Sequence, residues 1–317
     1  TTATAHRRIR LGISSCLLGE KVRYDGADKR DGYITGTLAR FFEFVPVCPE
    51  VAISLGVPRP PIRLVGSPTA PHAMGIANPD LDVTAKLAAN GRRMAQRLDD
   101  ISGYILKSKS PSCGVERVKV YTHRGSLAGS GRGIYAAALM AALPLLPVEE
   151  EGRLGDPDLR ENFFARVFAY RRWQEIAASG VTAARLIEFH TSHKLTLMAH
   201  NLAAYRRLGR LVAGASRRNA KDLSTRYIHG FMAALAQPAT PRRHANVLMH
   251  VMGYLKKRLD AEDKVELLEL IDACRLGQVS RAVPLTLLRH YFRRFPNPYI
   301  AQQVYLNPDP EEFRLCG

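Results

Sequence analysis

What the chain lacks narrows its chemistry first. None of its five cysteines (Cys16, Cys48, Cys113, Cys274 and Cys316) belongs to a C-x-x-C pair, which argues against zinc ribbons and thioredoxin-type redox motifs. Their odd count and wide, irregular spacing argue against a disulfide framework. No apolar run approaches the roughly 20 residues that span a bilayer, so no membrane partner is expected. The first eight residues are small and polar with no apolar signal segment behind them, so a cytoplasmic location is expected. No convincing helical-repeat period is present, and no obligate protein partner is evident.

What is present is a basic chain of 317 residues, with 46 Lys and Arg against 29 Asp and Glu, a formal net charge of +17 and a pI near 10.0. That field favours polyanions, and its clustering points to nucleic acid; Arg-rich coding from a high-GC genome is the bland alternative. The length has room for about two domains, and 46% hydrophobic residues is ordinary for a globular protein.

Short β-branched runs at 8–14, 43–47, 99–106, 115–121 and 145–148 predict strands, with 62–65 a candidate edge strand. Amphipathic spacing predicts a helix over 83–98 and a short one over 38–44. The glycine run 129–133 reads as a tight turn opening a small-residue helix, with an anion-binding loop as the weaker reading. Strands alternating with helices predict an α/β, Rossmann-like N-terminal domain over 1–150. A linker with a helix is expected over 151–180. Beyond it, helical spacing over 184–209, 220–236, 244–259, 261–276 and 283–294 predicts an all-α C-terminal domain over 181–317. Cys274 falls in that pattern as a small core residue, and Cys316 is expected to be idle.

Cys16, Cys48 and Cys113 each follow an apolar run that reads as a buried strand. Ligands in open parallel sheets sit beyond the carboxyl ends of strands, so the three could meet there. Three lone thiolates suit an iron–sulfur cluster better than zinc. From spacing alone, buried inert cysteines and a cysteine nucleophile stay open beside that reading.

The motifs Ser15-Cys16-Leu17-Leu18-Gly19, Val22-Arg23-Tyr24-Asp25-Gly26, Val47-Cys48-Pro49-Glu50 and Leu106-Lys107-Ser108-Lys109-Ser110-Pro111-Ser112-Cys113-Gly114 resemble the thiouracil desulfidase family over about residues 8–150. The later half, with Glu188-Phe189-His190-Thr191-Ser192-His193-Lys194 and Gly253-Tyr254-Leu255-Lys256-Lys257, resembles a helical domain often fused behind it. Such fusions are similar to bacterial enzymes that remove 4-thiouridine from transfer RNA. The resemblance implies a 4Fe–4S cluster on Cys16, Cys48 and Cys113, with the fourth iron open. It also implies a catalytic carboxylate at Glu50 and a catalytic serine in the Ser110–Ser112 loop, assigned here to Ser110, with Ser112 a local hydrogen-bonding group. Arg23, Asp25, Lys109 and Ser112 are candidates for substrate contact. For Asp25 a turn-stabilising role is the competing reading, and for Lys109 a solvent-facing one.

In the helical half, Lys194, Arg206, Arg207, Arg242, Arg243, Lys256 and Lys257, interleaved with Tyr205, Tyr227 and Tyr254, are the candidate RNA contacts; solvated helix faces are the alternative. A metal site on His190, His193 and His200 lacks an open coordination set. The expected activity is a transfer-RNA 4-thiouridine desulfidase. A desulfidase of free thiouracil with a structural helical domain, and a non-enzymatic cluster-bearing RNA-binding or redox-sensing protein, are its competitors.

Overall fold

The computed structural model describes residues 8–308. Two compact units divide between Phe163 and Phe164.

The first unit runs β1 (Ile9–Ser14), α1 (Gly32–Gly36), β2 (Phe42–Val47), α2 (Pro49–Ala52), β3 (Ile62–Ser67), β4 (Ala70–Gly75), α3 (Thr84–Arg97), β5 (Gly103–Leu106), β6 (Val118–Tyr121), β7 (Leu127–Gly131), α4 (Ile134–Ala142) and β8 (Val148–Glu150). One sheet, in the order β2-β1-β5-β8, is parallel throughout. The other, β4-β3-β6-β7, is mixed, with two antiparallel pairs around a parallel β3–β6 pair. The buried faces of β3, β6 and α3 share a core of Ile62, Leu64, Leu87, Val118 and Val120. In the parallel sheet, the Tyr104 ring of β5 lies so close over β1 that residue 12 must lack a side chain. A Cβ there would lie 2.5 Å from the Tyr104 ring, whose hydroxyl pairs with that of Tyr135 at 3.2 Å.

The α/β character expected from the sequence is present, with local differences. Segment 38–44 divides into a 3-10 turn over Leu38–Arg40 and the start of β2. Residues 62–65 belong to an inner strand, because β4 covers one side and β6 the other. The glycine run leads into the expected small-residue helix, with Gly133 at the N-cap of α4, but its first three residues are the end of β7 rather than a tight turn. The last strand sits two to three residues later than its apolar run, so Glu149 and Glu150 enter the sheet.

The second unit is all helical, as expected. It comprises the C-terminal part of α5 (Pro157–Ala178), then α6 (Ala183–Ser192), α7 (Lys194–His200), α8 (Leu202–Ala213), α9 (Ala220–Leu235), α10 (Pro241–Met252), α11 (Ala261–Arg275), α12 (Ala282–Arg294) and α13 (Pro298–Ala301). Side-chain oxygens of Thr182, Asn201, Thr240 and Asp260 cap the starts of α6, α8, α10 and α11, satisfying N–H groups a helix leaves unpaired. The stretch 184–209, expected as one helix, is therefore three: the chain turns at His193, and Asn201 is extended (φ −156°, ψ 101°). Leu195, Val247, Leu248, Leu267, Ile271 and Leu288 form the core, with Cys274 among them. Cys316 lies outside the described residues. Among those residues, no helix is long and apolar enough to cross a membrane.

Candidate active site

Three neighbouring strands of the parallel sheet end level with one another. Ser14 pairs with Val47, and Ile13 pairs with Ile105. Cys16 follows β1 by two residues in a 3-10 turn, Cys48 follows β2 by one, and Cys113 follows β5 after a six-residue loop. Strand order reverses at β1, which is where open α/β sheets bind ligands.

The three thiols lie within electrostatic reach of one another. Burial pushes the Cys16 thiol up to about 11, with Cys48 adding to the shift while Lys107 and Arg23 oppose it. Burial, then Glu50, then Cys48 and Cys16 push Cys113 up, against a hydrogen bond from Ser14. Cys48 is raised mainly by burial and lies 3.7 Å from the Val22 carbonyl. A set of two buried sulfurs and one half-buried one that repel one another as thiolates fits a positively charged iron–sulfur core, and the cations beside them favour the thiolate form. Among the described residues, no group of three or more His, Cys, Asp or Glu is placed to hold a single metal ion.

Glu50 stands two residues after Cys48, in the first turn of α2. Its Oε2 accepts from Arg59 Nε at 2.8 Å and Nη2 at 2.7 Å. Its Oε1 accepts from Ser112 Oγ at 2.8 Å. The Arg59 side chain is 4% exposed and also donates through Nη1 to the carbonyls of Val22 (3.0 Å) and Gly56 (2.8 Å). Arg59 was invisible to sequence reasoning: it sits in a proline-rich loop with no helical or strand period to mark it.

The Cys113 loop is fixed from three sides. Ser110 Oγ accepts the backbone N–H groups of Ser112 (3.2 Å) and Cys113 (3.1 Å), contacts that do not consume its own O–H. The first turn of α4 donates to the loop: Ile134 N to Pro111 O, Ala136 N to Ser112 O, and Gly133 N to Gly114 O. These N–H groups are thus occupied and Gly129 to Gly131 pair with β6, so the glycine run is strand end and helix cap rather than an anion loop. Glu150 Oε1 accepts from Val115 N at 2.7 Å, just after the cysteine. Glu151 binds Ser108 N at 2.6 Å and the Lys107 ammonium, before it. Lys109 is exposed and adopts a left-handed conformation (φ 59°).

Arg23 lies 3.3 Å from Asp25 and stacks over Tyr24. Asp25 Oδ1 also accepts from Ala27 N at 3.1 Å, which makes it a turn-stabilising residue and holds its carboxyl low. The seven basic candidates lie in the second unit. Lys194 begins α7, Arg206 and Arg207 are exposed on α8, and Lys256 and Lys257 are exposed after α10. Arg242 and Arg243 open α10, where Arg243 Nη1 donates to the His200 carbonyl at 2.8 Å. The three histidines do not converge on a metal: their Nδ1 atoms face Tyr227 OH, Phe189 O and Gln237 O respectively.

Comparison with known proteins follows the same division. Residues 11–151 match the 2-thiouracil desulfurase family, and residues 194–310 match DUF1722, a family of proteins of unknown function. Over 151 residues the chain is 33% identical to the uncharacterized protein YbgA of Escherichia coli (strain K12), covering 47% of this chain and 89% of that protein. A solved structure of the 4Fe-4S-dependent thiouracil desulfidase TudS aligns at 32% identity over 47% of this chain and 95% of its own, with a TM-score of 0.37. The chain therefore belongs, through residues 11–151, to the 2-thiouracil desulfurase family and carries a DUF1722 domain behind it.

Proposed function

We propose that this iron–sulfur-dependent desulfidase acts on 4-thiouridine in transfer RNA. It would hydrolyse the thiocarbonyl to give uridine and hydrosulfide, with no net redox change. Cys16, Cys48 and Cys113 would hold a 4Fe–4S cluster with one iron open. That cluster supplies a soft Lewis-acid corner suited to a thiocarbonyl sulfur.

The chain's own groups do the rest. Glu50 takes a proton from water as it attacks C4, much as a carboxylate serves water attack in base deaminases. Arg59 and Ser112 fix the two carboxylate oxygens, so Glu50 is oriented before the base arrives. Ser110, whose O–H is not consumed by its two backbone contacts, positions the water or returns the proton to the departing sulfur. Arg23 and Lys109 would meet the ribose and phosphate. The basic second unit grips the RNA. The observation that carries the reading is the level ending of three adjacent parallel strands, each followed by a cysteine, with a fixed carboxylate two residues from one of them.

Anaerobically reconstituted protein incubated with thiolated transfer RNA should release sulfide as 4-thiouridine disappears. Sulfide from free 4-thiouracil but none from the RNA would replace this reading with the free-base one. No sulfide from either would leave a cluster-bearing binding protein.

A further inference from the structure

Helices α6, α7 and α8 line an open pocket of about 510 Å³, within the size range of sites that take small organic ligands. Lys194, Arg206 and Arg210 line it, and no carboxylate does. An anion is therefore the favoured guest.

The floor is polar and aromatic. His190, 3% exposed, is held from behind by Tyr227 OH, 3.2 Å from its Nδ1. Its other nitrogen lies on the pocket side: a methyl at Gly209, itself a lining residue, would stand 3.5 Å from Nε2. Glycine inside a helix costs about 1 kcal/mol relative to alanine, and here its missing side chain leaves space above that nitrogen. Burial and then Lys194 push the imidazole down to about 4, so it is neutral near pH 7. Its ring and that of Tyr205 run parallel to within 14°, centroids 6.4 Å apart.

The aromatic surface continues outward. Tyr205 lies within electrostatic reach of Tyr299, which stacks on Tyr254 at 5.6 Å. Tyr254 is 42% exposed. A run of rings leading from a basic pocket is the arrangement that holds unpaired bases, with cations tracking the phosphates.

We infer that this pocket takes one unpaired nucleotide of RNA, its phosphate against Lys194, Arg206 and Arg210 and its base against the His190–Tyr205 wall. The RNA part of this assignment rests on the proposed RNA substrate. The nucleotide chemistry of the pocket does not.

The test is calorimetric titration of the full chain with uridine 5′-monophosphate, uridine, inorganic phosphate and a short single-stranded oligoribonucleotide. The monophosphate should bind more tightly than uridine or phosphate, and the oligonucleotide more tightly still. Gly209→Leu should weaken the monophosphate by about tenfold or more, a loss of about 1.4 kcal/mol. Arg206→Ala/Arg210→Ala, at exposed positions, should do the same whether or not the leucine variant folds. Glu262→Gln/Glu269→Gln, at exposed positions of α11 outside the pocket, should leave the monophosphate unaffected. Absence of saturable monophosphate binding, phosphate binding as tightly as the nucleotide, or equal affinity in the pocket variants would overturn the assignment. A chain that binds the monophosphate here yet leaves thiolated transfer RNA intact would sink the RNA substrate while keeping the pocket. A chain that desulfidates the RNA and ignores the monophosphate would sink the pocket alone.

Discussion

Arg59 is the side chain on which the orientation of Glu50 depends. Its guanidinium places Nε and Nη2 on one carboxylate oxygen and Nη1 on two carbonyls, all from a nearly buried position. A planar fork of fixed donors can do this, whereas an ammonium is a point charge on a flexible stem. Arg59→Lys should therefore keep the charge but release the carboxylate. Turnover should fall by at least about tenfold, a rise of about 1.4 kcal/mol in the barrier, while the visible absorption of the reconstituted cluster stays. Unchanged turnover would mean that Glu50 is oriented by Ser112 alone. Arg59→Ala is a harsher change, since it leaves a nearly buried carboxylate without its partner. It should destabilise the first unit by about 3 kcal/mol, read as a lower midpoint in urea.

The element that decides the third sulfur is the loop after β5, and its seat is α4. A Cβ on Gly133 would lie 2.5 Å from the Ser112 carbonyl oxygen and 2.9 Å from Cys113 N. Both are backbone atoms, so the loop itself must move. Gly133→Ala should lower iron and acid-labile sulfide after anaerobic reconstitution, with activity falling in proportion. Gly32→Ala, where a Cβ meets nothing within 4 Å, should not. A full cluster in the Gly133 variant would show that the seat is not needed. Sequence carried the strands before the three cysteines because each is a short run of mostly apolar residues, nearly all buried in β1 and β5 and buried at both ends in the edge strand β2. It did not carry β4 or β7, whose prolines, glycines and exposed positions give no period to read. The site was legible in the same uneven way. Cysteines at strand ends announce themselves, but the clamps on them do not. Glu150 and Glu151 straddle the expected boundary between domain and linker, yet they hold the two sides of the Cys113 loop. Only the pairing of β5 with β8, Leu106 opposite Glu150, brings them there, and that contact spans over forty residues of chain.

Across the whole molecule the two units differ in charge and in buried histidine. Burial, the largest cause at each, pushes His190, His193 and His200 down to about 4, 3 and 4, and all three lie in the second unit. A histidine depressed in the folded state binds its proton mainly when unfolded. Stability is then full above about pH 6.5 and falls as acid is added, by up to about 1.4 kcal/mol per pH unit for each histidine. The helical unit should lose stability between pH 6.5 and 4, seen as a falling melting temperature. His193→Phe, which also removes a buried nitrogen without a hydrogen-bond partner, should flatten that slope, and an unchanged slope would sink the assignment. The charge asymmetry is sharper. After residue 163 fall 24 of the 46 Lys and Arg but only 12 of the 29 Asp and Glu, so the second unit carries +12 of the +17. Half of those twelve acids (Asp260, Glu262, Asp263, Glu266, Glu269 and Asp272) lie on or cap α11. Acid gathered on one helix leaves the remaining surface basic, and RNA should avoid that helix. Affinity for transfer RNA should fall by about 10³ between 50 and 200 mM salt if some six phosphates are neutralised. Lys256→Gln/Lys257→Gln should weaken binding and reduce the slope of affinity against salt, because it would remove phosphate contacts. Glu262→Gln/Glu269→Gln, at exposed positions of α11, raises the net charge by the same kind of step and should leave the slope unchanged. Equal and opposite responses to the two changes would mean that the RNA reads net charge rather than a face, and a flat salt response would remove the phosphate contacts altogether.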